Sequence, residues 1–145
     1  GIHFGAPRSI ALATAVALGS NLILGHGLWS FYQAIGWSAV GIAGALLSER
    51  LYVNGRLSLP ALAAVAAASA FAFDWVVSLS ALHSLSTDVF LVYLIAGIPY
   101  DMLHAVTNVA FVAWLANPVS DIMTRHLAAP APAPMAVNDV ATNRV

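Results

Sequence analysis

Cysteine is missing from this chain, and so is lysine. The first absence removes disulfides, thiolate metal sites and thiol nucleophiles together, and leaves the redox compartment undetermined. The second leaves arginine as the only strong base. Five arginines against six acidic residues give a formal net charge of -1, with no basic stripe of the kind that holds nucleic acid. Charge of either sign is scarce: 8% of the residues carry it, where a soluble domain has about a quarter. Motifs are missing too. No glycine-rich phosphate loop is present, so any ATP is hydrolysed by another chain, and no G-x-S-x-G elbow or paired HxxxH or HExxH ligands occur. Nothing after Gly1 has the charged, apolar and cleavage regions of a signal peptide, and we expect a fragment or a processed chain.

What the chain has is apolar surface: 61% of its 145 residues are hydrophobic, and the mean hydropathy is +0.86. One soluble core of this size cannot hide so much, and no polar face recurs to meet water. The composition therefore predicts an all-α integral membrane protein with four transmembrane helices plus one short interfacial helix. The spans are expected at about 9–25, 31–47, 59–82 and 100–116. Each is long enough, at about 1.5 Å per residue, to cross most of a hydrocarbon core of roughly 30 Å. Gly36, Ser38, Gly41 and Gly44 predict close helix contacts in the second span. Asn54-Gly55 is a strong turn signal in a charged loop, and Pro60 suits the first turn of the helix after it. The run 88–98 is too short to cross alone and is read as interfacial, with a break at Pro99. The helical bundle is placed at 1–126, followed by a flexible Pro/Ala-rich tail at 127–145.

With four crossings, Arg8, Arg50, Arg56, Arg125 and Arg144 all fall on one side, which predicts that side to be cytoplasmic. Depth then follows from helix rise. Asn21, His26, Trp29, Gln33, Asp74, Tyr100, Asp101 and His104 gather in the outer half, with Asn108 about midway. Buried ionisable groups are costly in a bilayer, so a cluster at one depth from separate helices predicts a shared cavity open to the outside. Asp101, His104 and Asn108 share a helix face by their three- and four-residue offsets. Trp29, Gln33 and Trp37 recur every four residues, placing an amide between two flat rings. Aromatic walls with a few hydrogen-bonding groups suit an organic ligand of vitamin size.

Plainer roles stand beside these. Trp29, Tyr32, Tyr100 and Trp114 also suit interfacial anchors. Asn21, Gln33 and Asn108 also suit interhelical hydrogen bonding, above all Asn21. Asp74 also suits a pairing with His104 or His83 inside the bundle, and His3 and His126 suit solvated loops. Asp101 and His104 at i, i+3, with His26 or His83, would be the start of a metal site.

Two stretches, SNLILGHGLWSFYQAIGWSAVGIAGALL and GIPYDMLHAVTNVAFVAWL, resemble the substrate-binding S components of energy-coupling factor (ECF) transporters, which import vitamins and micronutrients. The likeness rests on Gly27, Trp29 and Gln33, continued by Gly36, Trp37, Gly41 and Gly44, and on Tyr100, Asp101, His104, Ala105 and Asn108. It covers roughly residues 4 to 126. It implies the C-terminal part of a six-helix S-component-like bundle, lacking the first two helices and the small-residue docking face they carry.

The resemblance implies a capture subunit, not an enzyme, for a small water-soluble micronutrient in a bacterial plasma membrane. The implied partners are membrane lipid, a transmembrane coupling subunit and two ATPase subunits, with no cofactor, no metal and no nucleic acid. Trp29, Gln33 and Trp37 would stack and orient the ligand. Asp74, Tyr100, Asp101, His104 and Asn108 would hydrogen-bond it. Two rivals remain open: an intramembrane metal-dependent enzyme using Asp101 and His104, and a ligand-free helix-packing protein.

Overall fold

Long apolar runs fold as helices because, away from water, backbone N–H and C=O groups must satisfy one another within the segment. A computed structural model describes residues 1–128; the tail expected from 127 on lies outside the described residues except for its first two positions. The helices are α1 (Gly5–Leu24), α2 (Leu28–Leu46), the single turn α3 (Ser48–Leu51), α4 (Leu59–Ser78) and α5 (Thr87–Ala128). A 3-10 turn, Leu79–His83, continues α4.

Three of these are long and apolar enough to cross a membrane: α1, α4 with its 3-10 extension, and α5. Helix α2, with 19 residues, is close to α1 in length but is not among the three. Leucine, isoleucine and valine side chains stand outward along α1 and α5, Leu22, Ile23, Ile95 and Leu103 among the most exposed. That is the surface expected where lipid is the solvent.

The element boundaries follow local chemistry. Gly25 ends α1 with φ +100, in the region L side chains rarely adopt, and its N–H returns to the Asn21 carbonyl at 2.9 Å. At the start of α2 the Ser30 hydroxyl accepts the Gly27 N–H at 3.3 Å. Pro60 lies in the first turn of α4, where no N–H is needed. Asn54 and Gly55 have φ +52 and +75. These are the values of a type I′ turn, and they fold the expected loop into a small hairpin, β1 (Tyr52–Val53) paired antiparallel with β2 (Arg56–Leu57).

The last helix differs from expectation. Residues 88–98 are not a separate interfacial helix: α5 runs unbroken through Pro99 and Pro118 for 42 residues. Pro99 removes only one intrahelical hydrogen bond, the one the Ile95 carbonyl would accept, and an otherwise apolar helical run tolerates that loss.

Each long helix packs antiparallel on the one before it, α1 on α2, α2 on α4 and α4 on α5. Among the described residues, α1 shares no extended interface with α4 or α5, so the helices form a row in chain order and not a closed ring. Glycine sets the spacing. A Cβ on Gly36 would stand 2.8 Å from the Phe73 ring, and one on Gly41 2.8 Å from the Ser9 Cβ. Gly36→Ala is therefore expected to lower stability by roughly 1–3 kcal/mol through overpacking. Gly19→Ala, which meets nothing within 4 Å, is expected to raise stability by about 0.5–1 kcal/mol. Unfolding of the purified protein in detergent measures both, and equal midpoints for Gly36→Ala and the parent chain would contradict the close approach of α2 and α4.

Candidate ligand-binding cleft

Antiparallel packing brings the polar residues of α4 and α5 into register. Asp74 and His104 meet at 2.8 Å, Oδ2 to Nδ1. One turn along, the Trp75 indole N–H donates to Asp101 Oδ2 at 3.1 Å. Where the Asp74 carboxylate is ionised it only accepts, and Nδ1 of His104 then carries the proton, leaving Nε2 over. The Asp74 side chain is 10% exposed and that of His104 30%.

On the other flank, Asn21 of α1 donates through Nδ2 to Gln33 Oε1 at 2.7 Å. Asn21 is buried, as an interhelical bond within an apolar pair requires. Tyr32 of α2 and His83 of the 3-10 turn meet at 3.1 Å, hydroxyl to Nε2. Between α2 and α4, Trp37 and Phe73 stack with centroids 5.8 Å apart and planes 16° apart. The His104 ring then meets Phe73 edge-on.

A cleft of about 440 Å³ opens among α2, α4 and α5. Gln33 lines it from α2; Phe73, Asp74, Val77 and Ser78 from α4; and Tyr93, Leu94, Ala96, Gly97, Tyr100 and Asp101 from α5. The volume lies in the range of small-molecule sites, and aromatic surface alternates with a few convergent polar groups. It sits towards the α4 end remote from Arg50 and Arg56, which bracket the hairpin connection.

Of the eight residues expected to bind ligand, Gln33, Asp74, Tyr100 and Asp101 line this cleft. His104 stands behind it, holding Asp74. Trp37 stands behind Phe73, and its other neighbours are on the α1 side, where it borders a groove with Leu12 and Val16. Trp29 does not line the cleft: its ring folds back over Gly27, leaving no room for a Cβ there, and is half exposed. Asn108 is partly buried, does not line the cleft, and makes no side-chain hydrogen bond among the described residues.

Phe73, Ser78, Tyr93 and Gly97 were not foreseen. The signal was present for two of them, because Tyr93, Gly97, Asp101 and His104 follow at offsets of four, four and three, one face of one helix. An assumed break at Pro99 hid that face. A larger cavity, about 700 Å³, lies at the opposite end between the hairpin and the end of α5, bordered by Arg56, Asp121 and Arg125. It holds none of the expected site residues. No three of the His, Asp and Glu side chains come together in a metal-holding group among the described residues.

Comparison with protein-family models, with curated proteins and with solved structures finds no match to this chain.

The Asp74–His104 contact predicts its own energetics. Removing one partner of a part-buried pair leaves the other unsatisfied, so Asp74→Ala and His104→Ala are each expected to lower stability by about 1–3 kcal/mol. The double variant should lose clearly less than the sum. A double-mutant cycle by detergent unfolding measures the coupling; additive losses would mean that the two side chains do not interact.

Proposed function

We propose that this chain is a membrane-embedded substrate-capture subunit of the ECF-importer type, taking up a vitamin or similar micronutrient. On this reading α1, α2, α4 and α5 are four crossings of a bacterial plasma membrane. They are the C-terminal part of a six-helix S-component-like bundle, with the arginine-bearing turns cytoplasmic and the cleft open to the outside. The observation that carries the proposal is the cleft itself: four of the expected binding residues, from three different helices, border one void of vitamin dimensions. The proposal also rests on the likeness of the stretches around Trp29 and His104 to that family. A transmembrane coupling subunit and two ATPase subunits would supply the energy, since this chain has no phosphate loop.

In this function Phe73, Tyr93 and Tyr100 offer ring faces, and the Gln33 amide, Asp74 and Asp101 orient the ligand. His104 and Trp75 fix the two carboxyl groups in place. The metal-enzyme alternative has less behind it, because no third His, Asp or Glu joins Asp101 and His104 in a metal-holding group among the described residues. A ligand-free packing protein remains a second reading. It is favoured by the internal pairing of Asn21 with Gln33 and of Asp74 with His104.

Capture and packing part company in native mass spectrometry of the chain purified in mild detergent. Capture predicts a co-purifying small molecule at one per chain, depleted about tenfold or more in Gln33→Ala and Asp74→Asn variants that retain helical circular dichroism. A preparation that is ligand-free, and stays so when offered a cell extract of small metabolites, supports the packing reading. Orientation has a separate check, made clean by the absence of native cysteine. Arg56→Cys should react with an impermeant maleimide only from the cytoplasmic face, and Ser84→Cys only from outside; the reverse pattern would invert the proposed topology.

A further inference from the structure

The groups bordering the cleft are unbalanced in charge. Two carboxyl groups, Asp74 and Asp101, line it, and no arginine does. The chain has no lysine. The one base at hand, His104, is committed to Asp74. Asp101 has only the neutral indole of Trp75, bound to Oδ2.

Asp101 is also among the most buried polar residues, 5% exposed. Its second oxygen, Oδ1, makes no hydrogen bond among the described residues. That oxygen lies over Gly97, 3.9 Å from where a Cβ would stand, and Gly97 is itself part of the cleft wall. An ionised carboxylate open to the cleft favours a positive charge or a strong donor facing it, and Oδ1 is open there, since no fully buried side-chain oxygen lacks a partner among the described residues. The protein supplies neither on the cleft side.

We propose that the cleft binds a small organic cation with an aromatic or otherwise flat body, its positively charged N–H end paired with Asp101 Oδ1. This deepens the capture reading of the same cleft and rests on it. The rings of Tyr93 and Tyr100 add cation–π attraction, which strengthens where water is excluded. Gln33 accepts the Asn21 N–H through Oε1, so its own NH2 is left to donate to an acceptor at the far end of the ligand. An anionic ligand would meet two carboxyl groups and no cation. The cleft therefore selects on charge before it selects on shape.

Three probes of one skeleton and differing charge test this: benzamidinium, benzamide and benzoate. Each is titrated against the full chain in phosphatidylcholine nanodiscs, read by saturation-transfer NMR and tryptophan fluorescence. Benzamidinium is expected to bind at least about tenfold more tightly than benzamide, with no binding of benzoate. In Asp101→Asn the ratio of benzamidinium to benzamide affinity should fall towards one. Equal or tighter binding of benzamide or benzoate to the parent chain overturns the charge assignment and leaves the capture reading standing. Binding of none of the three overturns the charge assignment, while the capture reading is decided by the co-purification experiment. A folded Asp101→Asn variant that keeps the preference overturns the role given to Asp101. If that variant does not fold, the charge series on the parent chain decides alone.

Discussion

The register of α4 against α5 hangs on one contact, the 2.8 Å approach of Asp74 to His104. Apolar helices slide past one another with little penalty in a medium as apolar as their own side chains, because there is no hydrophobic force between them. A polar pair has no such freedom: moving either partner by one residue leaves both unsatisfied. The Trp75–Asp101 bond, one turn along, repeats the constraint with the charges exchanged, acid on α5 and donor on α4. Together they fix both the vertical register and the rotation of the two helices. The position of Tyr93, Gly97 and Tyr100 against Phe73 and Ser78 is a consequence.

The row of helices explains where the void is. Small residues draw α1 to α2 and α2 to α4, through Gly41 against Ser9 and Gly36 against Phe73. Phe73 is thereby wedged between Trp37 and His104, stacked on one and edge-on to the other. Above that aromatic wedge, where Val77 and Ser78 lead into the 3-10 turn, the helices do not close, and the space between Gln33 and Tyr93 becomes the cleft. Tight packing below and a gap above arise from the same alternation of glycine and ring.

Much of this organisation was legible in the residues. The third span, expected at 59–82, is the apolar run Leu59–His83. The Asn54-Gly55 turn, the Pro60 helix start and the glycine contacts of α2 follow from local stereochemistry, which sequence reports directly. Pairing of Asp74 with His104 was one of two expected options, and His83 proves to face Tyr32. Partner choice of that kind depends on the rotation of each helix about its axis, which spacing within one helix does not determine. For the same reason Trp29, Gln33 and Trp37, equally spaced on α2, part company: α2 is flanked by α1 and α4 on different sides, and each residue meets a different neighbour. The expected break at Pro99 failed because a proline removes one donor, whereas a long apolar helix has many other reasons to continue.

That unbroken helix has an unequal stiffness along its length. At Pro99 the ladder lacks a rung, and two residues earlier Gly97 contributes no side chain to brace the turn. Gly97 lines the cleft, and Pro99 lies between the lining residues Gly97 and Tyr100. The missing rung of the longest helix thus falls beside the cleft wall. Any tilt of the segment above it changes the aperture at once, so the size of the opening and the angle of that segment are a single mechanical coordinate.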